Sequence, residues 1–296
     1  MNRVTNPRIK MNKINQIKNL KKNYGKFVAI DDFNLEIEEG KTYGILGRVN
    51  SGGTTIFNIL CNYTFKEDGT VLIDGKAPEN ARDLIYMCPK MEFYYGYTLR
   101  QVLKTISEFN SEFDLHYALE LCESFKIDLD SKFKAEENVQ NCTIFRTIVT
   151  ICMNKKYLLF NKPEIGLSSL DIRKLSDILI GNFKRNGYTP IIHSKNVNYF
   201  FDYLDYIIII KDKKVALFES REKLEKMVYS ISGSVDLIST AVKDRDVLAI
   251  RTLKNFSKLK IAYVLAKDED EIRAHGSRTV SLKEIYEAIT ASEGGH

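Results

Sequence analysis

The sequence predicts an α/β fold with a mainly parallel sheet, an antiparallel β subdomain, an inserted helical subdomain and a small C-terminal α+β appendage. Two observations lead to this prediction. Short apolar runs alternate with helical patterns, and strands that alternate with helices favour a parallel sheet with its ligand loops at the carboxyl edge. Residues 98–146 instead keep helical spacing with charges on one face, which indicates helices inserted between the strands.

The first part of the chain has strand patterns. Residues 1–12 are polar and basic, and we expect a loose leader there. A strand is expected from Ile14 to a turn at residues 23–25, and apolar and polar residues then alternate over 33–38, as in a half-buried strand. Residues 69–75 form another short strand pattern that ends in Asp-Gly, a strong turn signal.

The middle of the chain combines helices with short apolar strands. A buried strand at 84–88 leads to an aromatic loop with Phe93, Tyr94, Tyr95 and Tyr97, and we expect this loop to meet a partner. The expected elements after the helical segment are a strand at 157–160, a helix at 169–183, a strand at 189–192, a helix through Phe200 and Phe201, and a hairpin over 206–218. These alternations support an α/β domain over residues 13–226.

Residues 227–296 are expected to form the C-terminal accessory domain. Strand-like runs at 247–250 and 261–265 surround an expected helical segment near Leu253. A final helix over 281–289 begins with Ser281 and Glu284 in capping-box spacing.

Composition excludes several function classes. The 296 residues carry 44 Lys+Arg against 39 Asp+Glu, a formal charge of +5 that is too small to indicate a nucleic-acid-binding face. Five scattered cysteines without CxxC spacing indicate reduced thiols in a cytosolic protein, and the four separated histidines indicate no metal cluster. No apolar run approaches the length of a membrane span, so work at a membrane would require a partner.

Residues 42–60, TYGILGRVNSGGTTIFNIL, contain the main candidate site. A strand ends in a glycine-rich loop that opens into a helix, and this order brings backbone N–H groups and the positive end of the helix dipole to a phosphate. Gly47, Gly52 and Thr54 fit the P-loop template GxxxxGK[ST], whereas Gly53 occupies the lysine position. The sequence is therefore P-loop NTPase-like without the cation that reaches the phosphates. The candidate binding residues in this stretch are Gly47, Asn50, Ser51, Gly52, Gly53, Thr54 and Thr55.

Over residues 13–220 the chain resembles the nucleotide-binding subunit of an ABC transporter. The resemblance rests on the order of several segments, namely Tyr24 with Gly25, IDDFNLEIEEGKTYGILG at 30–47, IDG at 73–75, YLLFNKPEIGLSSLD at 157–171 and YIIIIKDKKV at 206–215. It implies that Tyr24 stacks on adenine, that ATP and Mg²⁺ are the cofactors with Thr54 as a metal ligand, and that the chain works on the cytoplasmic face of the membrane. It also implies two partners, a membrane-spanning transporter subunit and a second nucleotide-binding subunit.

The positions that perform chemistry in that family differ here. The metal aspartate is Asn161, the general-base glutamate is Lys162, and the switch position falls on Lys195, while the nearby His193 is interpreted as structural. The remaining departures are Lys90 for a glutamine, Ser168 for an aspartate, and Val139, Gln140, Asn141, Cys142 and Thr143, anchored by Arg146, for the signature LSGGQ. Since lysine, general base and metal ligand serve different parts of the mechanism, their joint loss predicts hydrolysis near background. Binding of ATP and Mg²⁺ is a separate matter, because Tyr24, the loop N–H groups and the Thr54 hydroxyl could still hold a nucleotide, with Arg48 as a candidate substitute cation. This binding is expected to be weak or lost.

The leading hypothesis is therefore a nucleotide-binding subunit that couples to a membrane-embedded partner through residues 90–103 and the helical subdomain. Residues 227–296 resemble the accessory region of ABC-2-type exporters, which suggests export. Two alternatives remain, a divergent but active transport ATPase that uses Thr54 and the relocated Lys90, Lys162 and Lys195, and a stand-alone regulatory pseudo-ATPase. The sequence leaves the substrate and the choice of homodimer or heterodimer open.

Overall fold

The computed structural model describes residues 13–93, 96–134, 138–196, 199–253, 256–274 and 280–291. The strands are β1 (Lys13–Tyr24), β2 (Phe27–Glu38), β3 (Tyr43–Gly47), β4 (Asp68–Ile73), β5 (Leu84–Met87), β6 (Tyr157–Asn161), β7 (Thr189–Ser194), β8 (Tyr206–Lys211), β9 (Lys214–Ser220), β10 (Val228–Ser234), β11 (Asp246–Leu253) and β12 (Phe256–Leu265). The α-helices are α1 (Gly53–Leu60), α2 (Leu99–Phe109), α3 (Leu115–Ser124), α4 (Val139–Cys152), α5 (Ser169–Asn186), α6 (Arg221–Met227), α7 (Val235–Ala241), α8 (Glu269–Ala274) and α9 (Leu282–Thr290). None of the helices within these ranges is long and apolar enough to cross a membrane.

A six-stranded sheet in the order β5-β6-β7-β3-β8-β9 forms the centre of the molecule. Its first five strands are parallel and β9 pairs antiparallel with β8. Because β3, β6 and β7 are neighbours with the same direction, the loops after their carboxyl ends meet at one edge. This arrangement brings the P-loop close to the residues that follow β6 and β7.

Both faces of the central sheet are buried, and the side chains of β8 pack into the core on each face. Ile207 and Ile209 belong to the core shared with α5 and α9, whereas Ile208 and Ile210 belong to the core shared with α1. Alternate residues of a strand point to opposite faces, so four consecutive isoleucines fill two cores. The second core also includes an antiparallel sheet in the order β2-β1-β4. The α/β class and its antiparallel subdomain are confirmed.

The inserted helical subdomain consists of α2, α3 and α4 around their own core. Thr98 caps α2 through a capping box, and α4 continues to Cys152 without interruption. Phe93 packs edge-on against Phe133 at 5.0 Å and Phe145 at 5.2 Å, so it is a half-buried residue that packs against this core, and the expectation that it meets a partner stays a prediction. Its apolar ring is more stable in contact with that core than in the loop. Tyr94 and Tyr95 of the same loop lie outside the described residues, as do residues 1–12.

The C-terminal appendage is an antiparallel sheet in the order β10-β12-β11 with helices on both faces. One side packs against α7. Helix α9 lies on the other side, where Ile285, Tyr286 and Ile289 enter the core beneath the central sheet. The appendage therefore shares a core with the P-loop domain. Ser281 and Glu284 form the expected capping box of α9.

Two expected helices are wrong. Leu253 ends β11 and pairs with Phe256 at the start of β12, because cross-strand packing of two apolar strands outweighs the helix propensity of single residues. The expected helix through Phe200 and Phe201 is only a 3₁₀ turn at Phe201–Tyr203. The chain is short between β7 and β8, and it inserts Phe200, Phe201 and Leu204 together into the core.

Candidate functional site

The P-loop connects β3 to α1 through residues 48–52. Gly52 precedes the helix with φ of 109°, and a Cβ there would lie 2.6 Å from the carbonyl oxygen of Ala29. Only glycine fits this left-handed position against the neighbouring backbone. The loop conformation expected from the sequence therefore depends on contact with β2.

A cavity of about 170 Å³ opens between this loop and the carboxyl ends of β6 and β7. Its lining comprises Phe27, Ala29, Gly47, Arg48, Val49, Asn50, Ser51, Gly52, Gly53, Thr54, Thr55, Lys162, His193 and Lys195. All seven candidate P-loop residues are therefore in one place. The cavity is smaller than the roughly 300–1,000 Å³ of ordinary ligand pockets, so it suits the phosphate part of a ligand.

The amino-terminal end of α1 faces this cavity without a side-chain cap. Gly52 makes no capping hydrogen bond, and the first turn contains no acidic residue. The first N–H groups of an α-helix have no partner within the helix, and they lie at the positive end of its dipole. This part of the P-loop therefore keeps the donors that a phosphate requires.

Tyr24, which the resemblance assigns to adenine, does not line the cavity, whereas Phe27 does. The two residues pair across the turn between β1 and β2. Lys22 places its ammonium 5.0 Å from the centre of the Tyr24 ring, and Lys213 places its own 4.8 Å from the Phe27 ring. Lys213 also contacts the carbonyl oxygen of Asn50 in the loop. Sequence reasoning missed Phe27, although an exposed aromatic beside a two-residue turn was a usable signal.

His193 occupies the space next to Gly53. A Cβ at position 53 would lie 2.6 Å from Cδ2 and 2.8 Å from Cε1 of the His193 ring, and closer still to Nε2. Real side chains do not tolerate such distances, so a lysine at this position would require the ring to move. His193 is 4 % exposed and packs edge-on against Phe57 of α1.

Asn161, at the position of the family's metal aspartate, is 1 % exposed and fully engaged. Its Nδ2 donates to the Tyr86 hydroxyl at 2.8 Å, and its Oδ1 lies 2.8 Å from Nδ1 of His193. The Thr54 hydroxyl is 3.3–3.4 Å from the same amide. Since a carbonyl oxygen only accepts, this arrangement gives His193 a proton on Nδ1 and leaves Nε2 without one.

Electrostatics keep this group neutral. Burial, helped by the charge of Lys162, lowers the pKa of His193 from 6.5 to about 4. Burial also raises the pKa of the Tyr86 hydroxyl above its usual value. Near pH 7 the threonine, asparagine, histidine and tyrosine therefore form a neutral network beneath the P-loop.

Positively charged side chains line the cavity, and two of them lie at the carboxyl ends of β6 and β7. Lys162 and Lys195 follow β6 and β7 and line the cavity, as expected, but Lys90 is not among the lining residues. Lys162 has φ of 55°, and its backbone N–H donates to the His193 carbonyl at 2.7 Å. Arg48 also lines the cavity, while its Nε donates to the hydroxyl of Thr290 in α9 at 3.2 Å.

The residues that replace the signature segment begin α4. Asn138 caps this helix, and Gln140 donates to Asp171 of α5 at 2.8 Å. Arg146 is buried, donates to the Met91 carbonyl at 2.7 Å and stacks on Phe133 at 5.0 Å. These contacts hold the helical subdomain against the central domain.

The cavity offers few of the oxygen ligands that Mg²⁺ requires. Mg²⁺ requires near-octahedral oxygen ligands and is usually held by one or two carboxylates. In the part of the chain that the structure describes, no carboxylate lines the cavity and no group of three or more His, Cys, Asp or Glu side chains is suited to a metal. The Thr54 hydroxyl, the expected metal ligand, is directed towards Asn161. The described residues therefore do not fit Mg²⁺.

Comparison with known proteins agrees with the fold and the loop. Residues 30–151 match the family model described as ABC transporter. The chain is 22 % identical over 224 residues to the ABC transporter ATP-binding protein YtrB of Bacillus subtilis, covering 74 % of this chain and 76 % of that protein. It is 23 % identical over 217 residues to the lantibiotic transport ATP-binding protein SrtF of Streptococcus pyogenes, covering 72 % and 94 %.

A solved ATP-binding subunit of an ABC transporter has the same fold. It superimposes with a TM-score of 0.62 at 15 % identity and covers 72 % of this chain and 92 % of the other. The P-loop, the inserted helices and the mainly parallel sheet are thus shared with this class of protein. The chain is thus similar to ABC transporter ATP-binding proteins, by the family model over residues 30–151, by its curated relatives and by its fold.

Proposed function

We propose that this chain is the nucleotide-binding subunit of an ABC exporter, and that it relays conformational change with little hydrolysis of its own. The observation that carries the proposal is the contrast between the two walls of the cavity. The P-loop and the start of α1 keep the donors for phosphate, whereas Lys162 replaces the general base on the opposite wall. Loss of a general base alone lowers a rate by about 10²- to 10⁴-fold.

A membrane-embedded partner would receive the conformational change. We assign its docking surface to residues 90–103 and the helical subdomain, where Phe109 ends α2 with 84 % of its surface exposed. Large exposed apolar side chains often mark interaction sites. The chain would sit on the cytoplasmic face of the membrane, with a second nucleotide-binding subunit beside it.

The first experiment measures ATP turnover by the purified full chain with excess Mg²⁺. We expect turnover near background in the natural protein and in the Thr54→Val variant. The divergent-ATPase alternative requires a different result, namely Mg²⁺-dependent turnover that the Thr54→Val change abolishes. That result would replace our proposal with an active enzyme.

The second experiment captures the tagged chain from detergent-solubilised membranes. We expect a multi-span membrane protein to co-purify and its yield to fall with Phe109→Glu. Leu237→Glu is the matched control, since Leu237 is an exposed apolar residue of the C-terminal appendage. Absence of any multi-span partner would favour the stand-alone regulatory alternative.

A further inference from the structure

We propose that the cavity binds the polyphosphate of a nucleotide as a metal-free anion, with Lys162 and Lys195 in place of the divalent ion. The proposal rests on the nucleotide binding assigned above and specifies the form in which the ligand enters. It follows from the charge of the cavity, from the hydrogen bonds that already engage its oxygen atoms, and from the position of His193 Nε2 beside the P-loop.

The charge of the lining is entirely positive. Three cationic side chains, from Arg48, Lys162 and Lys195, line the cavity, and none of its described lining residues is acidic. A divalent cation would be repelled here, whereas a free polyphosphate would be attracted from both walls. Lys162 and Lys195 follow β6 and β7 and line the same cavity as the amino-terminal end of α1, so they can replace the charge of a metal.

The oxygen atoms that would hold a metal are used elsewhere. The Asn161 amide bonds to both Tyr86 and His193, and the Thr54 hydroxyl lies against the same amide. A metal ligand at either position would have to break this buried network. Such a network is costly to leave partly unsatisfied.

His193 points to a ligand in the cavity. The ring is 4 % exposed and lines the cavity, and its Nδ1 is held by Asn161. Its other nitrogen, Nε2, lies beside Gly53 of the P-loop, so a ligand in the cavity can form a hydrogen bond with it.

The network allows Nε2 to become a donor without any change of charge. If the Asn161 amide turns round, its Nδ2 donates to Nδ1 of His193 and the Tyr86 hydroxyl donates to its Oδ1. The proton of the imidazole then sits on Nε2 and points at the cavity. Both orientations satisfy the same heavy-atom distances, since amide orientation and tautomer follow the hydrogen-bond network. A phosphate oxygen beside Gly53 would select the second orientation.

The test is calorimetric titration of the full chain with ATP, in excess EDTA and in excess MgCl₂. We expect the affinity in EDTA to equal or exceed the affinity in MgCl₂. Lys162→Gln and Lys195→Gln should each weaken binding in EDTA by about three- to tenfold, as expected for a charged contact near solvent. Lys104→Gln removes one positive charge in the same way, but from an exposed residue of α2. This control variant should leave the affinity for ATP unchanged.

A parallel titration with inorganic triphosphate distinguishes a site for nucleotides from a site for any polyphosphate. A nucleotide site should bind ATP more tightly than triphosphate, because the base and ribose of ATP add contacts with residues such as Phe27, which lines the cavity. Equal affinity for both would show a general polyphosphate site and overturn the nucleotide assignment. Binding of ATP only in MgCl₂ would overturn the metal-free proposal and leave the proposed function intact. No binding in either medium would overturn the nucleotide component of that function as well.

Discussion

Replacement of Gly53 by alanine tests how tightly His193 fills the place of the missing lysine. The added Cβ would meet three atoms of the buried ring at 2.8 Å or less. Overpacking of this kind costs about 1–3 kcal/mol. Alanine in a helix gains up to about 1 kcal/mol over glycine. We therefore expect Gly53→Ala to lower the free energy of unfolding by about 0–3 kcal/mol.

The matched control is Gly181→Ala, in the middle of α5, where an added Cβ would meet nothing within 4 Å. This variant should gain the helix propensity alone, about 1 kcal/mol. In a His193→Ala background the obstacle is removed, so Gly53→Ala should also become stabilising. Urea unfolding of the single and double variants would give a coupling energy of about 1–3 kcal/mol between positions 53 and 193.

Equal stabilisation by Gly53→Ala and Gly181→Ala in the natural background would refute this reasoning. It would mean that the ring moves aside at no cost, and that lysine is absent for a reason other than space. A coupling energy near zero would have the same meaning.

Three further predictions concern stability and are measured by urea unfolding. Since the pKa of His193 is about 4 when folded and 6.5 when unfolded, the unfolded chain binds more protons between these values. This group should therefore lower the free energy of unfolding by about 3 kcal/mol from pH 7 to pH 4. His193→Asn should remove this loss, whereas the exposed control His116→Gln should keep it. The same dependence of stability on pH in His193→Asn would contradict the assignment of the loss to His193. Ile285→Ala, at a fully buried position of α9, should lower the free energy of unfolding by about 2–5 kcal/mol, whereas Lys283→Ala, at an exposed position, should lower it by under about 1 kcal/mol. Equal effects of the two changes would mean that α9 is not part of the main core. Thr290→Val removes the acceptor of Arg48 and should cost about 1 kcal/mol, and a neutral result would show that this bond contributes nothing.

The fold was largely predictable because its signals are local. The Asp-Gly turn after β4, the hairpin of β8 and β9 and the capping box of α9 each depend on a few adjacent residues. The failures occurred where distant contacts decide. Leu253 is a strand residue because β12 is its partner, and residues 200–201 do not form a helix because Phe200, Phe201 and Leu204 are all buried in the core.

The site was predictable only in part, for the same reason. The P-loop residues are contiguous, and the sequence placed all seven at one cavity. Phe27 lines the cavity and Tyr24 does not, which depends on how the hairpin of β1 and β2 lies against the loop, and local sequence does not show this. His193 was interpreted as structural because it ends a strand, and its contact with Gly53 spans 140 positions of the chain.

These contacts change the meaning of the departures at the P-loop and at Asn161. In the sequence, these departures look like independent changes at separate positions of the family's motifs. In the structure Gly53 makes room for His193, His193 bonds to Asn161, and Asn161 bonds to Tyr86. An aspartate at position 161 would place a charge in a neutral buried network, and a lysine at position 53 would collide with its ring. The three residues thus form one packed unit, and changing any one of them alone would disturb its contacts with the others.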